Sequence, residues 1–331
     1  MSAPATKDLW AQIRGLGHDL TPEQIQATMA LIAPLAPKPG RDVIVHRDVV
    51  YGPDARHRLD VFVPSAGAAH APVLVFVHGG GFVRGDKGAP DAPFYNNVGL
   101  WAARSGCIGV TMTYRLAPAA PWPAGSEDVG AAVRFLRSNM EQWGGHPNAI
   151  FLMGQSAGAV HVAGFVAESG SHIAGAIMVS GLYDVVRADR NPFQAAYYGA
   201  DHSRFPEQST LGKLAETALP CFYMVSEFDP PDFQRQAAWL VEAHTARQGR
   251  WPRLMQLTGH NHLSSVLQIG SAVDTLGPEL LRFIHTVRGI DAVQLPNLAG
   301  GSSGRIFRKF TLRCAASQNI GHLHLSVDKA S

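Results

Sequence analysis

The sequence predicts an α/β protein: a mostly parallel central sheet covered by helices on both faces, preceded by a small helical segment. Three observations lead there. Five runs, "VLVFVHGG", "IGVTMTY", "AIFLMG", "IAGAIMVSG" and "CFYMVSEFD", are almost unbroken in apolar residues, as strands are when both faces of their sheet are covered. Helical stretches lie between several of them, "SEDVGAAVRFLRSNM", "AGAVHVAGFVAES" and "DFQRQAAWLVEAHTARQG", and strand–helix alternation builds a parallel sheet wrapped by helices. The chain has 331 residues, 46% hydrophobic and 16% charged, enough to bury a large core in one large domain or two smaller ones.

The elements follow in order. "TPEQIQATMALIAPL" opens with a capping box: Thr21 as N-cap, Pro22 in the first helical position and Gln24 as the return partner. Ile25, Met29 and Ile32 share one helical face, which needs a surface to lie on. "DVIVHRDVVYG" and "RLDVFVP" alternate partially and predict an antiparallel pair. The five apolar strands and their helices come next, then a strand at "PRLMQL" and a closing helix at "GPELLRFIHTVRG". Residues 1–40 therefore read as a helical cap segment and 41–290 as the main domain. From 291 to 331 a glycine–serine hinge and scattered charge replace any sustained periodicity, so this part reads as an appended tail outside the fold.

Composition excludes several classes. The formal charge is +2, with no basic stripe for nucleic acid and no acidic tail. The three cysteines, Cys107, Cys221 and Cys314, have no zinc or CxxC spacing; Cys107 and Cys221 flank or enter apolar runs and read as core residues, and the set fits a reduced, cytoplasmic protein. The N-terminus lacks the apolar core of a signal peptide, and no apolar run approaches the ~18 residues of a membrane span.

Chemistry concentrates in "AIFLMGQSAGAVHVAGF", a strand, then Gly154-Gln155-Ser156-Ala157-Gly158, then a helix rich in small residues. A nucleophilic serine has to project from a sharp strand-to-helix turn, and glycines two before and two after make room for it. Attack by Ser156 on a carbonyl would create an oxyanion that needs N–H donors about 2.7–3.1 Å away. The amide of Ala157 supplies one. The glycines of "HGGGF", after an adjacent strand, supply others because no Cβ blocks approach; Gly80 and Gly81 are the candidates, with His78 ahead of them as structural support. Enzymes with such a turn carry an acid and then a His later in the chain. Asp229 ends the strand "CFYMVSEFD", with Glu227 and Asp232 as the other carboxylates. Asp229 could instead cap a helix beginning at Pro230. His262 follows the strand "PRLMQL" in "GHNHLS"; His260 is its neighbour, and "GHLHLS" puts an echo, His324, in the tail. His262 is favoured because only the first copy follows a predicted strand. The HxH pair lacks carboxylates or cysteines at ligand spacing, so no metal site is expected.

Taken together, "HGGGF", "YRLAPAAPWPAGSEDV" and "GQSAG" resemble the α/β-hydrolase fold, closest to the hormone-sensitive-lipase-like esterases and the arylformamidase-like enzymes. The resemblance covers roughly residues 40–290. It implies carboxylic ester hydrolysis by a Ser156–His262–Asp229 triad with an oxyanion hole at Gly80, Gly81 and Ala157, and no cofactor. Arg115 and Asp128 match a block that is structural in that family, implying a buried pair that steadies the oxyanion loop. Three features depart from the lipase-like pattern: Gln155 where an acid is usual, Ala119 where Glu is usual, and a serine-to-acid interval that leaves little room for inserted cap structure. They point toward the smaller formamidase-like branch.

Phe82, Phe94, Tyr95, Trp122 and Gln155 are candidates for the wall of a substrate pocket. The expected partner is a small-molecule ester, with N-formylkynurenine-like amides or anilides as the alternative. A non-catalytic small-molecule receptor is a further alternative, disfavoured because Ser, Asp and His are all present. No nucleic acid or membrane partner is expected, and a homodimer is left open.

Overall fold

The computed structural model describes residues 3–289. The expected tail at 291–331, with Cys314 and His324, lies outside the described residues. Two helices come first, α1 (Ala3–Leu16) and α2 (Pro22–Ile32), then strands β1 (Val43–Val50), β2 (Arg58–Pro64) and β3 (Ala71–Val77). Helix α3 (Asn96–Arg104), β4 (Ile108–Met112), α4 (Ala124–Asn139), β5 (Gly145–Gln155), α5 (Ala157–Glu168) and β6 (Gly175–Val179) alternate through the middle of the chain. Three short helices follow, α6 (Pro192–Tyr198), α7 (Phe205–Gln208) and α8 (Leu211–Glu216). The domain ends with β7 (Cys221–Phe228), α9 (Pro231–Gln248), β8 (Leu254–Asn261), α10 (Ser264–Leu267) and α11 (Gly277–Val287).

All eight strands form one sheet in the order β1-β2-β4-β3-β5-β6-β7-β8. β1 and β2 are antiparallel, as the alternation predicts, and β2 meets β4 antiparallel. From β4 to β8 every pairing is parallel. The apolar strands are apolar because each feeds two cores. Val73, Val75 and Val77 of β3 pack with Val129, Val133 and Leu136 of α4 and Val162 of α5 on one face. Leu74 and Phe76 pack on the other with Val98 and Trp101 of α3 and Leu280 and Phe283 of α11. Successive strand side chains point to opposite faces, so an unbroken apolar run serves both layers. Cys107 is buried and Cys221 packs against the core, both as free thiols.

Three sequence expectations need correcting. Helix α1 was not anticipated: its apolar residues are sparse, yet Leu9 and Ile13 are buried with Ile32, Phe94 and Leu267. On α2 the capping box forms as read, but the face turned inward is Thr28 and Ile32, while Met29 is 41% exposed. The interval between Ser156 and Asp229 does hold inserted structure: α6, α7 and α8 stand between β6 and β7. Helices this short carry too little periodicity to read in sequence.

Candidate active site

In parallel α/β sheets, ligands bind beyond the carboxyl ends of the strands. The loops after β3, β5, β7 and β8 bring the sequence candidates together there. Ser156 leaves the end of β5 with φ 55° and ψ −121°, a conformation that costs a non-glycine residue free energy and is found where the surrounding fold holds it. Its N–H donates to Val179 O at 2.9 Å. The flanking glycines are required by packing. A Cβ on Gly158 would lie 2.0 Å from Val77 O, and one on Gly154 would lie 2.3 Å from Gly158 O. Helix α5 therefore starts in backbone contact with two strand ends, with the Ala157 N–H in its first turn.

The glycine loop after β3 needs its residues for conformation as well as space. Gly80 has φ 131° and Gly81 φ 61°, and a Cβ on Gly80 would lie 2.1 Å from Arg84 O. His78 supports the loop from below. It is fully buried, its Nδ1 donates to Gly79 O at 2.6 Å, and its ring stacks on Tyr114, whose hydroxyl donates to His78 O at 2.8 Å. Burial pushes the His78 pKa down to about 4, so it stays a neutral donor. Asp128, buried, accepts from the Arg115 backbone N–H at 2.7 Å and from Arg115 Nε at 2.9 Å. That clamps the segment whose Ala117 N–H donates to Phe82 O at 3.0 Å. The pair lies against the segment that meets the glycine loop, but only Asp128 is buried; the Arg115 side chain is 32% exposed.

The acid and base meet across β7 and β8. His262 Nδ1 donates to Asp229 Oδ1 at 2.6 Å, and both residues are buried. Asp229 Oδ2 accepts from Ser180 Oγ at 2.6 Å and from the Ser226 N–H at 2.7 Å. With all its acceptor work directed, the carboxylate holds one imidazole tautomer. His262 Nε2 is buried without a hydrogen-bond partner among the described residues, and His262 and Ser156 line the same cavity. A serine, imidazole and carboxylate so disposed can run acyl transfer, the imidazole relaying the serine proton.

The competing candidates are occupied elsewhere. Glu227 accepts from the Gly259 N–H at 2.7 Å. Asp232 sits in the first turn of α9 and accepts from the Asp189 N–H at 3.1 Å. His260 lies 3.1 Å from Ser264 Oγ and 2.8 Å from Thr275 Oγ1, with its pKa lowered to about 4 by burial.

The cavity measures about 950 Å³ and is walled mainly by apolar side chains. Phe82, Phe94, Tyr95 and Gln155 are among the residues that line it. Trp122 does not; it packs against the cluster that includes Phe82, Tyr197 and Phe205, with the Arg204 guanidinium 5.5 Å over its ring. Gln155 has a second task, donating from Nε2 to His262 O at 2.9 Å. Sequence reasoning missed Phe193 of α6, Phe233 of α9, Leu263 and Leu267 on the walls, and Ser180 behind the acid. Of these, only Ser180 carried a signal, lying at the end of an apolar strand. Among the described residues no group of His, Cys, Asp or Glu is placed to hold a metal ion, and no helix is long and apolar enough to cross a membrane.

Strand order, crossovers and the serine turn define an α/β-hydrolase fold. The chain belongs to the BD-FAE family, whose profile matches residues 59–231, over half its length. Among relatives, isoprenylcysteine alpha-carbonyl methylesterase ICME of Arabidopsis thaliana is 37% identical over 119 residues, 36% of this chain and 26% of that protein. Esterase LipQ of Mycobacterium tuberculosis is 28% identical over 218 residues, 57% of this chain and 51% of that protein. The chain thus spans about a quarter to a half of these relatives. Esterase B from Lactobacillus rhamnosis superposes with a TM-score of 0.68 at 17% identity, over 86% of this chain and 97% of that one. An esterase of the bacterial hormone-sensitive lipase family superposes at 0.63 with 20% identity, over 88% and 100%. The resemblance read from the motifs agrees with these matches.

Proposed function

We propose that this protein is a serine hydrolase that cleaves small carboxylic esters, with short acyl or aryl groups, through an acyl-enzyme on Ser156. The observation that carries the reading is the Asp229–His262 hydrogen bond at 2.6 Å, which leaves Nε2 unpartnered on an imidazole whose residue lines the same cavity as Ser156. Ser156 Oγ attacks the ester carbonyl as His262 Nε2 takes its proton. The oxyanion is held by the N–H groups of Ala157 and of the Gly80–Gly81 loop. The intermediate collapses, His262 returns the proton to the leaving alcohol, and a water activated by the same imidazole releases the acid. Helix α2 acts as a cap over the acyl side, through Ile25 and Met29 on the cavity wall. The methylesterase and esterase names of the sequence relatives agree with ester substrates.

The test is a fluorophosphonate probe together with a panel of p-nitrophenyl acyl esters, N-formylkynurenine and simple anilides. Stoichiometric labelling at Ser156 with ester turnover is expected. No labelling and no turnover would leave the receptor alternative, and turnover of the formyl amide alone would move the protein to amide hydrolysis.

A further inference from the structure

Helix α2 does more than wall the cavity. Thr28, buried on its inner face, donates from Oγ1 to Gln24 O at 2.8 Å and accepts at the same oxygen from Asn261 Nδ2 at 2.8 Å. Asn261 immediately precedes His262. Its Oδ1 accepts from the N–H groups of Leu263 and Ser264 at 3.2 and 3.0 Å, and its own N–H donates to Ser264 Oγ at 3.0 Å. The base therefore sits in a tight turn whose outer anchor is a helix more than two hundred residues upstream. The segment before α2 reaches the acid in the same way. His18 Nδ1 donates to the Asp229 carbonyl at 3.2 Å, and its ring meets Phe228 edge-on at 5.5 Å.

We propose that Thr28 is a positioning residue for His262, with His18 a weaker one for Asp229. The N-terminal helical unit thereby braces both arms of the proton relay. This inference rests on the ester-hydrolase reading above. The physical ground is that Asn261 Nδ2 is buried and loses its partner if the Thr28 hydroxyl is removed, so the turn must shift to find another. Catalytic geometry tolerates little of that: a displacement of about 1 Å can cost roughly a hundredfold. Ile25 and Met29, next to Thr28 on the same helix, line the cavity. An acyl chain that presses on them bears on the helix that holds Asn261. Filling the acyl side should therefore steady the base, so that kcat, and not only KM, responds to chain length.

The experiment uses full-length protein, wild type and with Thr28→Val or Thr28→Ser. Its readouts are kcat and KM on p-nitrophenyl acetate and butyrate, the fluorophosphonate labelling rate at Ser156, and melting temperature. Thr28→Val keeps the shape and removes the hydroxyl. It should lower kcat and the labelling rate together by about tenfold, the loss expected for one buried hydrogen bond, with KM within about twofold. Thr28→Ser should restore both. A lower melting temperature with unchanged kcat and labelling rate would make Thr28 merely structural and overturn the proposal. Should Thr28→Val not fold, His18→Leu, at an exposed position, gives a second reading: kcat down about threefold, or unchanged against the proposal. Wild-type protein that resists the probe would instead sink the hydrolase reading. Labelled wild type with Thr28→Val labelled at the same rate sinks this inference alone.

Discussion

Replacing Asp229 by Asn should reduce kcat/KM by about 10⁴-fold, the loss seen when the equivalent acid is so changed in the serine-protease template, without unfolding the protein. The surrounding hydrogen bonds dictate the reason. Asp229 Oδ2 accepts from the backbone N–H of Ser226 at 2.7 Å, a donor that cannot turn away. An asparagine must present its carbonyl oxygen there, because an NH₂ would oppose that N–H. Its NH₂ is then forced to the Oδ1 side, facing His262 Nδ1. Ser180 Oγ accommodates the change, since it already donates to the same oxygen. With a donor opposite Nδ1, the imidazole holds its proton on Nε2 and cannot accept one from Ser156. Asp232→Asn is the control: Asp232, although buried, takes its hydrogen bond from the Asp189 N–H and not from the imidazole. An asparagine oxygen can keep that bond, so this variant should stay within about threefold of wild type. The assay is kcat/KM on p-nitrophenyl butyrate, with far- and near-ultraviolet circular dichroism to confirm the fold. An Asp229→Asn enzyme within tenfold of wild type, or a larger loss in Asp232→Asn, would refute the reasoning.

The other expectations can be tested in parallel. Ser156→Ala should lose about 10³-fold or more in turnover with an unchanged dichroism spectrum, because the nucleophile acts as a unit with its base; near-normal turnover would remove the mechanism. Gly158→Ala should destabilise the fold by about 1–3 kcal/mol or more through overpacking, since its Cβ would meet Val77 O at 2.0 Å; an unshifted urea midpoint would contradict that packing. Ile25→Ala with Met29→Ala should lower the ratio of hexanoate to acetate kcat/KM by about tenfold, as buried methylenes worth about 0.8 kcal/mol each lose their wall; a parallel fall for both esters would argue against a cap. Burial depresses the pKa of His78 to about 4 and of His161 to about 3. Between those values and the ordinary histidine value of 6.5 the unfolded chain binds more protons, so stability is full above about pH 6.5 and falls as pH drops toward 4. Urea midpoints at pH 7 and pH 5 should show the loss, and equal midpoints would contradict it.

What could be read from the chain was whatever is written locally. A strand apolar on every residue, a glycine-flanked serine between strand and helix, and the Thr21 capping box each depend on neighbours a few residues away. Period and turn chemistry are enough to encode them. The preference for Asp229 and His262 came from position after a strand, which is again local, and the geometry brings these two together. Trp122 shows the limit: an aromatic beside a proline looks the same whether it lines a cavity or props the loop behind it. Helix α1, Phe193 of α6, Ser180 and the Thr28–Asn261 bond were not legible for the same reason. Their roles come from partners far along the chain, brought close by the strand order and by packing at the carboxyl ends of β3, β5, β7 and β8. The sequence by itself determined the layers, the serine turn and the residues eligible to serve it, because backbone preference and burial period are short-range. Only the tertiary structure decided which carboxylate meets which imidazole and what walls the cavity, because a hydrogen bond of 2.6 Å between distant residues depends on the register of the whole sheet.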